Sequence, residues 1–579
     1  MRLPQLAIHI GARTILPPCY LQLLLFSWIA LVPPRVLLAA TTPLDAWEIP
    51  TTISLPEYDV VDWNSFPDGY RALNSRVLMF PVGQGDALLK IGTEHQLFID
   101  DYLVAERHGL TRQFHRAQKH TANPLVEADR PWEKPLGIGG LANVLLDEPT
   151  GKLRMWYYLL RPPEPIAYRG NYFIYPLCYA ESENGIDWTK PDMGWWLTDE
   201  HPGNNVIFWN NPLGMFVDPW EKDLTKKFKS YNREKPLQNE SFIEGLYLFS
   251  SPDGISWKQE STVCIILGGY EGDYQDYHAP FGQRGPQPAG TRYNLPLPGL
   301  ANATPRVDRI LKKYVADAKI SKLAGKRAVG MLESDDLIHW SPPRVTMFPD
   351  QLDDNDEQHY YNYTFCYESM WLGLIRVMRT QPTGWKQTHI ELAASRDGRT
   401  WNYAANREQF IPLGDQDSWD ADYTQPIGEP VLVGNELWFY YMGSRYYQRN
   451  GNQLWPTGNG YLRSIGVAKL RQDGFVSLNA KHQPGTLLTR PMTYRGGKLY
   501  VNADVGEAGH IKVSVRDLKN KPLPHYTLAK CQGVTTDTVA GRIQWQDNPQ
   551  LPDDTAVPEQ HIRLLFEVKN ARLYSFWIH

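Results

Sequence analysis

Four short stretches decide how this chain folds: SENGIDW from Ser182 to Trp188, SPDGISW from Ser251 to Trp257, SDDLIHW from Ser334 to Trp340, and SRDGRTW from Ser395 to Trp401. In each, a short apolar run ends in Ser, passes through a tight turn and reaches Trp. Three copies contain Asn-Gly or Asp-Gly, the pair that best tolerates positive φ at both centres of a two-residue hairpin turn, so each is expected to mark a β-hairpin. The third has Asp336 and Leu337 there, which disfavours that turn and predicts a different local geometry. Aromatic strands lie upstream, as in LRMWYYLL from Leu153 and EGLYLFS from Glu244, and ELWFYYMGS from Glu436 adds another after the last copy.

The tryptophans follow one another at intervals of 69, 83 and 61 residues, a period that suits one four-stranded propeller blade with loop insertions. From Gly109 to Arg471 that period predicts an all-β, five-bladed propeller, with six blades left open. The remainder, KLYVNADV, HIKVSVRDL and RLLFEVKNARLYSFWI, alternates apolar positions between Gly, Pro and Asn turns, the pattern of a small C-terminal β-sandwich. The expected division is residues 1–40 as a leader, 41–108 as a segment packing on the propeller, 109–475 as the propeller and 476–579 as the sandwich. One helix is expected, VDRILKKYVADAKISKLAGKR from Val307, and the Pro- and Gly-rich run from Gly268 to Pro305 reads as an excursion at the rim or a featureless insert.

The first 40 residues carry Arg2 and Arg13, an apolar stretch from Tyr20 to Ala30, and Val36 through Ala40. They read as a secretory signal peptide, which implies a secreted or periplasmic protein. Pro33, Pro34 and Arg35 interrupt the run, so a continuous membrane-spanning helix is not expected; an N-terminal anchor is the alternative. Of five Cys, Cys19 leaves with the leader. Cys178, Cys264, Cys366 and Cys531 are widely spaced without a CxxC pair, so a zinc site is not indicated and buried, inert thiols are expected, with one or two disulfides as the alternative.

Composition narrows the function classes. A charged fraction of 21% with net charge −5 describes an ordinary folded protein and argues against a nucleic-acid partner. The 12% aromatic content, with 20 Trp, suits packing between sheets and also stacking on sugar rings.

The Ser-Asp-Trp phrases, SDDLIHW above all, resemble the hairpins of five-bladed propeller glycosidases, the group of glycoside hydrolase families 32, 43 and 68. LFIDDYLV from Leu97, ANPLVEADRPWE from Ala122, YESMWLGL from Tyr367, IGVAKLRQDGFVSL from Ile465 and RLYSFW from Arg572 are similar to an environmental bacterial group, common in planctomycetes, of family-32-like glycosidases. The resemblance spans most of the chain after the leader. It implies an exported glycoside hydrolase with a carbohydrate substrate and acidic groups projecting from inner strands into a central funnel. The WMNDPNG-like, RDP and EC motifs of family 32 do not occur here in that form.

Glycosidic hydrolysis needs one carboxyl held protonated and another held ionised, so acids flanked by strand-like sequence are the candidates. Glu368, in FCYESMWLGLIRV, is the expected general acid, because a charge amid apolar residues is costly; Arg376 as an ion-pair partner is the structural alternative. Asp101 in LFIDDYLV is the expected base or nucleophile, with Asp100 pointing to the opposite face as a substrate contact. A surface turn or a closing-strand contact is the alternative for both. Asp218 in GMFVDPWE resembles the second-blade Asp that tunes the acid in such families, or is an ordinary pre-proline turn. Glu133 and Trp132 in DRPWE, Trp419, Asp420 and Asp422 in SWDADYTQP, and His115 complete the expected substrate contacts. His120, His278 and His359 are further sugar-contacting candidates.

No ligand spacing such as HExxH occurs, so neither a catalytic metal nor a cofactor is expected. Asp353, Asp354, Asp356 and Glu357 read as a solvated loop, with calcium binding the alternative. GIGG at Gly137 lacks the context of a phosphate loop. Asn239, Asn302 and Asn362 lie in glycosylation sequons. Two other functions compete with the hydrolase: a non-catalytic carbohydrate-binding propeller, and a sialidase-like enzyme, which needs an Arg cluster and a Tyr nucleophile.

Overall fold

The computed structural model describes residues 88–134, 137–159, 175–194, 203–209, 212–234, 245–266, 300–323, 326–341, 344–349, 353–380, 385–404, 407–445, 448–449, 463–494, 496–546, 548–552 and 561–579. The expected leader, most of the 268–305 excursion, Asn239 and His278 lie outside the described residues. The described chain is all-β apart from one 3-10 turn, Leu224–Lys226. Among the described residues no helix is long and apolar enough to cross a membrane.

Five sets of strands follow one another. The first is Ile138–Asp147, Lys152–Leu159, Pro176–Ser182 and Val206–Trp209; the second is Pro212–Val217, Phe228–Glu234, Gly245–Ser251 and Lys258–Ile266. The third is Leu300–Asp308, Lys313–Leu323, Lys326–Ser334 and Arg344–Met347. Each of these three is an antiparallel meander. The fourth, Gln358–Tyr367, Met370–Thr380 and Trp385–Ser395 with two short edge strands, joins the fifth through a parallel contact between Thr388 and Tyr423. In the fifth, Tyr423–Pro426, Glu436–Ser444 and Ser464–Arg471 are completed by Gln118–Lys119 from far upstream, which pairs with Ala468 and Lys469. Central strands such as MWLGLIRVMRT are buried on both faces, which is why they read as nearly continuous apolar runs and not as alternation.

The apolar cores lie between successive sets. Trp156, Leu177 and Ile207 of the first pack with Met215 and Phe228 of the second. Tyr231 and Leu248 meet Val307 and Ala316 of the third, and Val329 and Met347 meet Trp371 and Ile375 of the fourth. Leu372 and Leu392 of the fourth share a core with Phe439 and Tyr441 of the fifth. The fifth returns to the first, where Trp438, Tyr440 and Met442 pack with Met155 and Tyr157.

The four Ser-to-Trp phrases make one and the same turn, larger than a two-residue hairpin and closed by its own side chains. In the second copy Ser251 Oγ accepts from the Asp253 and Gly254 N–H groups, Asp253 Oδ1 accepts from the Ile255 and Ser256 N–H groups, and Trp257 Nε1 donates to Gly254 O at 3.0 Å. The third copy, expected to differ, repeats this pattern through Ser334, Asp336 and Trp340. Leu337 takes φ 67, beside 74, 76 and 69 for Gly185, Gly254 and Gly398. The strain of a left-handed Leu, on the order of 1–3 kcal/mol, is offset because Leu337 is buried with Tyr231 and Trp340.

The same carbonyl also receives a bond from the preceding set. Trp156 Nε1 donates to Gly254 O at 2.7 Å, Tyr231 OH donates to Leu337 O, and Tyr440 OH of the fifth set donates to Gly185 O of the first at 2.9 Å. A Leu337→Gly variant should relax the turn but lose a buried side chain. We expect a net loss of about 1–2 kcal/mol, from roughly 1 kcal/mol of strain relief against 2–3 of burial, measured by urea unfolding; a gain in stability would show that strain outweighs packing there.

The expected helix from Val307 is instead the end of one strand and the whole of the next, Lys313–Leu323. Asp308 Oδ1 accepts from the Ile310 and Leu311 N–H groups, and Lys312 takes φ 54, so the chain reverses where a helix would have continued. Tertiary burial of Tyr314, Ala316 and Ala318 against the second set overrides the helical propensity of this Lys- and Ala-rich stretch.

A second body has a ten-stranded sheet dominated by two long paired strands, Leu499–Arg516 and His561–Ile578. Its core holds Phe98, Leu103, Leu487, Val513, Phe566 and Phe576. Val104–His108 pairs with Gly485–Thr489, and Thr111–Phe114 with Val476–Ala480. The segment just after residue 88 is thus woven into this sheet, and Gln118–Lys119 is its first strand to join the other body.

Asp473 sits where the two bodies meet. It accepts from Tyr367 OH at 2.8 Å and from Ser575 Oγ at 2.5 Å, and lies 2.7 Å from His95 Nδ1. Ser, His and Asp are together, yet the Ser bonds to the Asp and not to the imidazole, so the order needed to activate a nucleophile is absent. Burial alone lowers the His95 imidazole, but the Asp473 hydrogen bond and charge win and hold it above its ordinary value. Stability from this pair is therefore fully present below about pH 6.5 and lost as pH rises through the raised value. Thermal melts are expected to decline over that alkaline window in the wild type and to be flatter in His95→Gln; parallel pH profiles would dismiss the linkage.

All four described cysteines are free; Cys178, Cys264 and Cys531 are buried and Cys366 is half-buried.

Candidate functional site

The first strands of successive sets lie beside one another. Asn143 Nδ2 donates to Met215 O at 2.6 Å, joining the first set to the second. Gly214, at φ 71, has no room for a side chain because a Cβ would lie 2.7 Å from Pro305 O of the third. Thr304 Oγ1 and Tyr361 OH are 2.7 Å apart, and Gln425 Nε2 of the fifth set donates to Tyr363 OH of the fourth at 2.9 Å. Gly428 then brings the fifth set back beside Asn143. Rings and cations gather along one side: the Arg376 guanidinium lies 4.2 Å from the Tyr360 ring and 4.8 Å from Tyr423, Arg463 lies 4.9 Å from Tyr423, and Lys319 lies 4.0 Å from Tyr360.

Glu429 is the informative acid. Its side chain is solvent-exposed, yet desolvation by the surrounding protein pushes its carboxyl above the usual value. Glu429 follows Gly428, where a Cβ would lie 3.7 Å from Asn143 Oδ1 of the first set. Arg309 and Arg306 oppose the rise, and Asp308 adds to it.

Arg306 is buried, with Nε 3.4 Å from Asp317 Oδ2, Nη1 3.6 Å from Asp308 Oδ2, and a short bond to Thr364 Oγ1. Burial also raises the Asp317 carboxyl, although Arg306 and Thr364 pull it down. Asp308 is fully buried and accepts from Trp371 Nε1 at 2.8 Å and from Cys366 Sγ. It thus acts on Glu429 through its charge and not by contact with a ligand.

The acids that the sequence singles out are engaged elsewhere. Glu368 is not within a strand: it forms, with Ser369, the two-residue turn closing Tyr367 onto Met370, takes φ 50, and accepts from the His95 N–H at 2.9 Å. Arg376 donates to Gln425 Oε1 at 2.7 Å. Asp100 and Asp101 are both fully buried. Asp100 takes two bonds from Arg396, while Asp101 is paired with Arg112, which overcomes desolvation and holds its carboxyl below the usual value. Asp218 accepts from the Trp220 N–H and from Tyr314 OH at 2.9 Å. These carboxylates make structural bonds to His95, Arg396, Arg112 and Tyr314.

Glu133 and Trp132 do come together, but inside the first set: Glu133 accepts from Tyr157 OH at 2.5 Å and from Lys190 Nζ at 2.6 Å, and Trp132 Nε1 donates to Asn205 Oδ1. Asp420 accepts from Tyr441 OH and lies 2.5 Å from Lys119, beneath Trp419 stacked on Tyr441. Asp422 accepts from Gln387 Nε2 at 2.8 Å. His115 Nε2 is 2.7 Å from Ser477 Oγ in the cleft beside the second body. His359 meets Tyr403 OH. In the acidic loop, Asp353 and Glu357 are buried against Arg407 and Arg379, while Asp354 and Asp356 are exposed.

Glu429 was passed over because Gly428 and Pro430 flank it, which reads as a turn and not as strand. Asp317 lies in the stretch expected to be a helix, and Arg306 stands between that stretch and the expected excursion.

No family model matches this chain, and no curated protein does. Among solved structures it is similar to a thermostable family-43 glycoside hydrolase at 15% identity and TM-score 0.36, over 60% of this chain and 96% of that one. An N-acetylgalactosamine deacetylase from F. plautii in complex with blood group B trisaccharide matches at 16% and 0.39, over 62% and 96%. A fructofuranosidase from Schwanniomyces occidentalis complexed with fructosylnystose matches at 10% and 0.36, over 78% and 96%. Likeness this distant carries no argument about activity.

Proposed function

We propose that this protein is an exported glycoside hydrolase that takes a carbohydrate into an axial channel, with Glu429 as its general acid. The observation that carries the proposal is a water-accessible carboxyl, next to the Gly428 that adjoins Asn143 of the first set, whose pKa desolvation moves upward, the direction a general acid needs. The proposed architecture is a closed five-bladed propeller followed by a β-sandwich. Its support is the cyclic order of apolar cores and of turn carbonyls, which runs from first set to fifth and back to first. Tyr363, Gln425 and Asn143 supply hydroxyl and amide groups suited to sugar hydroxyls. Asp308 and Arg306 are positioning residues that set the proton affinity of Glu429 from opposite directions. Export rests on the apolar first forty residues.

A second reading is a non-catalytic glycan-binding protein. It is favoured by the commitment of Asp100, Asp101, Asp218 and Glu368 to structural bonds, which leaves the ionised partner of Glu429 unassigned.

One experiment separates the two. The wild type and Glu429→Gln are incubated with a panel of neutral and acidic oligosaccharides, and both new reducing ends and calorimetric binding are measured. Loss of a general acid should lower turnover by about 10²–10⁴-fold while binding and melting temperature stay close to wild type. The alkaline limb of the wild-type pH profile should fall as Glu429 loses its proton. Binding without cleavage by the wild type supports the second reading; full turnover by the variant removes Glu429 from the mechanism.

A further inference from the structure

A cleft of about 630 Å³ lies away from the axis, between the edge of the fifth strand set and the second body. That volume falls within the range of small-ligand sites, roughly 300–1,000 Å³, and junctions between bodies are where such sites concentrate. Its charged lining is Arg116, Lys119, Lys469 and Arg471 with Glu408 and Glu436, and each of the four cations has a carboxylate beside it.

We infer that this cleft binds an anionic stretch of oligosaccharide, one that carries carboxylate or sulfate groups. The cations differ in how firmly they are held. Lys119 is tied to Asp420 at 2.5 Å, and Arg471 to Asp537 at 2.7 Å and to Asn502 at 2.7 Å; these two shape the wall. Arg116 meets Glu408 at 3.1 Å with both side chains about half exposed (49% and 50%). Such a pair is worth little in water, so an incoming anion can exchange for the glutamate, and the planar guanidinium matches a carboxylate or sulfate with two parallel bonds. Lys469 lies over the Trp438 ring at 3.5 Å, with Glu436 3.9 Å away, so its ammonium is positioned by packing and not by a tight ion pair.

The charge of the site is also steady with pH. Burial, helped by Arg572, pushes the His115 imidazole in the wall down to about 4, so it stays neutral over the range where polysaccharide acids are ionised. The site does not depend on Glu429, and a chain held here would run past the fifth set instead of through the axis.

The test is calorimetry with three chains of equal length: an oligogalacturonate, a sulfated oligosaccharide and a neutral cello-oligosaccharide. Either acidic chain is expected to bind and the neutral one not, with affinity falling between 50 and 200 mM salt as screening increases. Arg116→Gln combined with Lys469→Gln should weaken the acidic ligand by about tenfold or more. Arg116→Gln alone, at a half-exposed position, gives a smaller loss of the same sign should the double variant fold poorly. Lys258→Gln, an exposed cation elsewhere, should bind as wild type does. Equal binding of the neutral chain, unchanged affinity in the Arg116 and Lys469 variants, or no binding of either acid overturns the inference.

Discussion

Asp100→Asn is expected to destabilise the protein by about 3–5 kcal/mol, the cost of leaving a buried guanidinium without its counter-charge. Asp100 Oδ2 and Oδ1 accept from Arg396 Nε and Nη2 at 2.9 and 2.7 Å, and both side chains are essentially without solvent contact. Arg396 also donates to Leu97 O at 3.2 Å and lies 4.8 Å from the Tyr102 ring. It belongs to the fourth Ser-to-Trp phrase, so the pair fastens the segment 97–102 of one body onto a turn of the other. An Asn keeps the shape and one acceptor but no charge, so the loss isolates the electrostatic contribution. Urea denaturation followed by tryptophan fluorescence measures it. A loss below about 1 kcal/mol would mean that water or a relaxed backbone compensates the guanidinium.

Gly254→Val should be nearly as damaging, with a loss of about 3 kcal/mol or more from two sources that add. Gly254 has φ 76, a region costing a β-branched residue on the order of 1–3 kcal/mol. A Cβ there would also stand 2.7 Å from Trp156 Cζ2 and 3.3 Å from Phe228 Cδ1, both belonging to the core between the first and second sets. Trp156 is fully buried and gives its indole N–H to Gly254 O, so the side chain cannot retreat without breaking that bond. The same substitution at Gly151, with φ 72 but nothing within 4 Å, carries only the backbone cost and serves as control. Equal losses at the two sites would show that the contact with Trp156 is irrelevant.

The turn phrases were legible because their chemistry is local. Ser, Asp or Asn, and Trp close the loop within seven residues, whatever surrounds it. The third copy shows the limit of a rule about residue type: Leu337 occupies a glycine position because Tyr231 and Trp340, distant in sequence or in the same turn, bury it. The stretch from Val307 shows the same limit for propensity, since alternation along Lys313–Leu323 could not be recognised without knowing that both faces are covered.

Acids that stand in apolar sequence show a related limit. Asp100, Asp101 and Glu133 are costly to bury and are accordingly paired, with Arg396, Arg112 and Lys190. Sequence shows that a charge is buried but not what neutralises it, because the partner can lie 11, 57 or 296 residues away.

By itself the sequence determined the all-β character, the four recurrent turns and the aromatic strands that feed them, since hydrogen bonds within a few residues and the two-residue period of a strand depend only on neighbours along the chain. The tertiary structure alone decided that Gln118–Lys119 completes the fifth set, that Thr111–Phe114 belongs to the other sheet, and that Asp101 is buried against Arg112. Those outcomes follow from desolvation and charge pairing between distant segments, energies that come into being only when the segments meet.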